Sequence, residues 1–294
     1  MASLSSDPIE PFLSIREWIQ WHPSQETDTE PSKASATASS ENARARPKEP
    51  TSTLVLTTAK RTFIDIRIFL AALDNNNSST NPDSTGTAAV AALQTLGPHP
   101  LPQSAVDWAM VGTSFSAVHA EGQPWHARWE HWIDSRSPLG STPAAADEGF
   151  MFPQDGQRTL EKGSMVNPDS GRLEDYEEMW FDPDVQVIPG KGESAKRWCV
   201  VLRLDQGDWK GAVVRVGQFV QGMIMGPNEL CLERWEFDLD GEKEGRRADW
   251  RRSLRVGDRY LPCAVTWGDV ENLEVGHEVK HSEVVWKVEE KYCW

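Results

Sequence analysis

RTFIDIRIF, Arg61–Phe69, is the stretch on which the fold turns. Ile64, Ile66 and Ile68 fall on one face of an extended chain, and Phe63, Asp65, Arg67 and Phe69 on the other. A period of two marks a β-strand, because successive side chains leave a pleated strand on opposite sides. The alternation recurs downstream. VDWAMVGTSF (Val106–Phe115) follows, and in PWHARWEHWIDS the residues Trp125, Ala127, Trp129, His131 and Ile133 share one face. EGFMFPQDG and GRLEDYEEMWFDP continue the pattern. RWCVVLRL, GAVVRVGQFVQGMIM, LCLERWEFDL, WRRSLRVG, LPCAVTW and HEVKHSEVVWKVEE predict at least six more strands, the second of them interrupted by Gly217 and Gly222. Turns such as DQGDWKG and DLDGEKEG separate them at roughly 8–12-residue intervals, the spacing of a meander or barrel. Only AAVAALQTL (Ala88–Leu96) has helical character.

Two polar inserts interrupt this pattern. Pro23 to Thr53 has no Val, Ile, Leu, Met, Phe, Trp or Tyr, too little apolar surface to offset its ordering entropy, so residues 23–53 are expected to be a disordered loop. It separates a short apolar element, Phe12 to Trp21, from a strand at Leu54–Thr58. A second insert, DNNNSSTNPDSTGT, occupies residues 74–87. PGKGE, near Pro189–Glu193, breaks the composition like a linker. Two antiparallel β units follow, each about 100 residues once the inserts are removed, barrels or sandwiches, assigned to 10–189 and 194–294.

Net charge is −15, from 30 Lys plus Arg against 45 Asp plus Glu. That balance opposes nucleic acid or an anionic membrane as a partner, since both need positive surface. No apolar run approaches the roughly 20 residues of a membrane span, and the N-terminus has no secretory pattern. The expected location is cytoplasmic or nuclear.

Catalytic motifs do not emerge. Cys199, Cys231, Cys263 and Cys293 have no C-x-x-C spacing, and three of them read as small buried strand residues in a reducing compartment. His277 and His281 share a strand face but lack an evident third ligand, so no metal is expected. FDLDGE (Phe237–Glu242) begins like a calcium loop without its remaining ligands and reads as a hairpin turn. His119, His126 and His131 lie near carboxylates and Ser135, yet no nucleophile elbow accompanies them. Phosphate-binding glycine loops are missing, so no cofactor is expected. What stands out is tryptophan, 14 against three tyrosines. Tryptophan plugs wide barrels, and it also lines cavities for apolar ligands.

Several phrases resemble a fungal family: SIREWIQW from Ser14, WAMVGTSFS from Trp108, HWIDSR from His131, DEGFMFPQDGQRTLEKGSMVNPDSGRLEDYEEMWFDP from Asp147, WCVVLRL from Trp198, GAVVRVGQFVQG from Gly211 and SLRVGDRYLPC from Ser253. The chain is similar to the family of the yeast casein-kinase-I-interacting protein. That resemblance implies an all-β fold of two lipocalin-like (calycin-like) antiparallel β-barrels in tandem. It implies two functions. One is a non-enzymatic interaction protein with a protein kinase partner. The other is a barrel of fungal secondary metabolism that binds an apolar polyketide or terpenoid. Such a barrel would act as a cofactor-free hetero-Diels–Alderase joining a tropolone quinone methide to a humulene-type terpene. A pericyclic reaction needs a shaped apolar pocket and a donor or two, with no nucleophile or metal. The ligand-binding reading is preferred, with contacts expected from Trp129, Tyr176, Trp180, Gln218, Gln221, Trp235 and Trp286.

Overall fold

The computed structural model describes residues 4–5, 7–22, 47–74, 100–117, 120–141, 146–188, 196–239 and 248–294. Nine strands form the first sheet: β1 (Leu4–Ser5), β2 (Phe12–His22), β3 (Thr51–Thr57), β4 (Thr62–Phe69), β5 (Val106–Ala117), β6 (Trp125–Asp134), β7 (Asp147–Gln154), β8 (Arg158–Val166) and β9 (Leu173–Phe181). Their order is β1-β5-β4-β3-β2-β9-β8-β7-β6, and β6 returns to pair with β5. Strands β2 to β9 therefore close into an eight-stranded antiparallel barrel, with β1 on the outside of β5. A second sheet holds β10 (Trp198–Gln206), β11 (Trp209–Val216), β12 (Phe219–Gly226), β13 (Glu229–Phe237), β14 (Trp250–Val256), β15 (Glu278–His281) and β16 (Val284–Cys293). Its order, β14-β13-β12-β11-β10-β16-β15, leaves β14 and β15 as edges. The expected tandem of two closed barrels thus becomes one closed barrel and a second sheet whose ladder stays open among the described residues.

The isoleucine face of β4 points out of the barrel, not into it. Ile64, Ile66 and Ile68 join Leu13, Leu54, Leu56 and Val111 in a core shared with Val201, Val214, Met223, Leu232 and Leu254 of the second sheet. Burying each such side chain contributes about 1.5–3 kcal/mol. The opposite face of β4, Phe63, Asp65 and Arg67, lines the barrel interior. The other face of the second sheet is packed: Val200, Val213, Val220 and Trp286 of its strands form a core with Cys263 of the 3-10 turn.

Five local expectations change. Residues 47–53 are ordered: Lys48 bridges Ile19, and β3 begins at Thr51, not Leu54. Hydrogen bonds hold this polar segment where apolar area cannot; Glu49 binds Arg16 and the Thr51 amide. The remainder of the first insert, residues 75–87 of the second, Ala88–Leu96, PGKGE and the Asp-Gly turn of FDLDGE lie outside the described residues. GAVVRVGQFVQGMIM is a hairpin, β11 and β12, turning at Gly217 with φ +53°. LPCAVTW forms a 3-10 turn at Pro262–Thr266 instead of a strand, since Pro262 has no N–H for a ladder. In β6, register shifts where Val111 pairs Ile133 and Gly112 pairs His131. The extra residue, Trp132, sends Ile133 to the outer face and breaks the expected single face. Cysteine placement also differs in detail: Cys199, Cys231 and Cys263 are buried, Cys293 is exposed, and Cys263 sits in the 3-10 turn.

Candidate ligand cavity

Alternation along the strands delivers most side chains of the barrel interior. β4 contributes Phe63, Asp65 and Arg67; β6 contributes Trp125, Ala127 and Trp129; β8 contributes Thr159, Glu161 and Met165; β9 contributes Tyr176, Glu178 and Trp180. They surround a cavity of about 310 Å³. A barrel of eight strands has an interior just wide enough to be filled or to hold one small ligand. Small residues open this one. A Cβ on Gly163 would stand 2.5 Å from the Tyr176 hydroxyl, and one on Gly149 would stand 2.9 Å from Glu161 Cγ. Glycine at these two strand positions leaves room for the larger groups facing them.

A charged network lies inside. Arg67 Nε donates to Asp65 Oδ2 at 2.9 Å and its Nη1 reaches Glu178 at 3.4 Å. Arg16 donates to Glu178 at 2.5 Å and to both oxygens of Glu49. Burial alone would lower the pKa of Arg67, yet Asp65 and Glu178 hold it above the usual value. Burial raises Asp65 against the pull of Arg67. Asp65 Oδ1 is buried and accepts no hydrogen bond. Glu161 accepts from the Tyr176 hydroxyl at 2.7 Å and from Trp180 Nε1 at 2.9 Å. Burial, aided by the charge of Glu178, pushes Glu161 up to about 8. Asp182, which accepts a hydrogen bond from Ser14 and also lines the cavity, is raised by burial to about 6.

His131 stands behind this wall. Its Nδ1 lies 3.2 Å from Asp134 and its Nε2 3.2 Å from Asp147. Burial opposes the charge, but the two carboxylates outweigh it and lift His131 to about 9. Asp134 also accepts from Trp108 Nε1 at 2.7 Å. Ser135 Oγ accepts the Ala109 amide, so the pair does not form a nucleophile and base. Among the described residues no group of three or more His, Cys, Asp or Glu is placed to hold a metal ion.

Of the residues singled out from the sequence, Trp129, Tyr176 and Trp180 come together in this cavity. The others go elsewhere. Gln218, at the β11–β12 turn, binds the backbone of Gln186 and Asp184. Gln221 lies between the sheets, donating to the Leu54 and Ile64 carbonyls and accepting from Arg234. Trp235 packs at 5.2 Å against Trp267, and Trp286 is buried in the second sheet. Asp65, Arg67, Glu161 and Glu178 were not anticipated as cavity residues. One signal was available: LEDYEEMWF places Glu174, Tyr176, Glu178 and Trp180 on a single strand face, a polar–aromatic mix that solvent-facing strands have no need of.

A family profile described as Protein HRI1 matches residues 12–290. The crystal structure of an uncharacterized protein, YLR301w, from Saccharomyces cerevisiae is similar at TM-score 0.60 and 18% identity, covering 97% of this chain and 100% of that one. At that identity the likeness concerns the fold. No curated protein matches.

Proposed function

The chain belongs to the HRI1 protein family, and from that premise we propose that it is a small-molecule-binding protein of lipocalin-like kind, its ligand seated in the closed N-terminal barrel. One observation carries the reading: the closed barrel holds a cavity of about 310 Å³ walled by Phe63, Met110, Trp129, Met151 and Trp180. A concave site walled by apolar and aromatic side chains, with polar groups converging on it, is the usual make-up of a small-molecule site. The second sheet offers a contrast, because the face it turns from the barrel is packed with side chains.

The test is tryptophan fluorescence of the whole protein against polyketides, terpenoids, tropolones and haem. Saturable quenching at micromolar concentration by one class is expected. Trp129→Ala should weaken it at least tenfold, while Trp267→Ala, at the end of the 3-10 turn and outside the barrel, should leave affinity unchanged. Silence from every class sinks the proposal and favours a protein partner instead. Hetero-Diels–Alder cyclisation is a finer proposal for the same cavity, decided by product analysis with whichever class binds.

A further inference from the structure

The charge lining the cavity says which ligands it accepts. We infer that the cavity selects aromatic molecules whose polar end is a cationic hydrogen-bond donor, a protonated amine or guanidine, seated against Asp65. This rests on the ligand-binding reading above and specifies its chemistry. Six carboxyl groups line the cavity, Glu10, Asp65, Asp147, Glu161, Glu178 and Asp182, against two guanidinium groups, Arg61 and Arg67. Even leaving out Glu161, whose carboxyl burial raises to about 8, five acidic groups face two basic ones. Charges just behind the wall do not reverse this. Arg16 and His131 are matched there by Glu49 and Asp134.

The cations are also committed. Arg67 spends its donors on Asp65 and Glu178. Arg61 donates to the Asp7 carbonyl and to Ser116. Asp65 is the counterpart left short. It is 3% exposed, lies midway along β4 in the cavity wall, and its Oδ1 receives no donor. A desolvated acceptor without a donor is costly; Oδ1 is closed off from the empty cavity, so a ligand N–H reaches it once the Asp65 carboxyl turns from Arg67 toward the ligand. The rings of Phe63, Trp129 and Trp180 add attraction, since an aromatic face carries negative potential toward a cation. A carboxylate ligand would meet an acidic cavity with no uncommitted cation.

Three indoles that differ in the polar end supply the test: tryptamine, tryptophol and indole-3-acetate, each titrated calorimetrically into the wild-type protein at pH 7. Tryptamine is expected to bind at least tenfold more tightly than tryptophol, and indole-3-acetate more weakly than either. Asp65→Asn should abolish the preference for tryptamine over tryptophol, with circular dichroism checking that the variant is folded. The wild-type ranking decides even if that variant fails to fold. Equal binding of the three, or tighter binding of indole-3-acetate, overturns the charge selection and leaves the aromatic cavity standing. No binding of any of them overturns the charge selection, and the fluorescence panel decides separately whether the cavity binds a ligand at all.

Discussion

His131 and Glu161 show how single residues tie this barrel to pH. The ordinary His131 value is 6.5 and the folded one about 9, so the folded state holds the proton more tightly. The resulting stabilisation is complete below pH 6.5 and is lost as pH climbs through 9. Its size, from the linkage between proton affinity and stability, is roughly 3 kcal/mol. Glu161 acts in the same direction over a lower window. Raised from 4.5 to about 8, it favours the fold fully below 4.5 and has lost that contribution above 8. Urea unfolding at a series of pH values should therefore show stability declining from pH 6.5 to 9. His131→Gln should flatten the upper part of that decline and Glu161→Gln the lower part. A wild-type midpoint that stays level across the window would contradict both assignments.

Elements explain why the cavity was only half legible. The alternation in β4 revealed a strand and named both faces correctly. It could not reveal which face looks inward, because the usual rule puts apolar residues inside. Here the apolar face meets a second sheet, and Phe63, Asp65 and Arg67 are left to the barrel interior. In β6 the bulge at Trp132 broke the even spacing that a sequence reading depends on. Counting apolar residues also concealed the start of β3, where Thr51 is held by Glu49 and Arg16. Trp129, Tyr176 and Trp180 could be picked out because aromatic residues on strands suggest either core or cavity. Gln218 and Gln221 looked like site residues for the same reason any buried amide does, and long-range backbone partners satisfy them. The β8–β9 pair yields a prediction of its own. Gly163 is opposite Tyr176 in the ladder, and a methyl group there would displace the ring and its hydrogen bond to Glu161. Gly163→Ala should cost about 1–3 kcal/mol by urea unfolding, the range for overpacking a filled site. Tolerance without loss would mean that Tyr176 does not occupy this position.

At the scale of the whole molecule, the two sheets share one core and one buried polar clamp. Arg234 of β13 is completely buried among the apolar residues between the sheets. It donates to Gln221 Oε1 at 2.9 Å, to Ser52 Oγ at 3.0 Å and to the Ile66 carbonyl at 2.9 Å. Burial lowers its pKa to about 10, still well above neutral, so the group remains charged. The last two acceptors belong to the barrel, which makes this arginine a register pin between units that apolar contacts alone would let slide. Arg234→Met keeps an apolar stem of similar length and strips three buried acceptors of a donor. At about 1 kcal/mol each, the loss should be roughly 3 kcal/mol. The shared core carries a second consequence. If neither sheet can bury Leu54, Ile66, Val214 or Leu232 without the other, unfolding of one exposes the other. Far-ultraviolet circular dichroism and tryptophan fluorescence should then report one coincident urea transition for the wild type and for Arg234→Met, shifted but not split. Two separated transitions in the wild type would show that each sheet stands alone, and that the cavity can be isolated with its barrel.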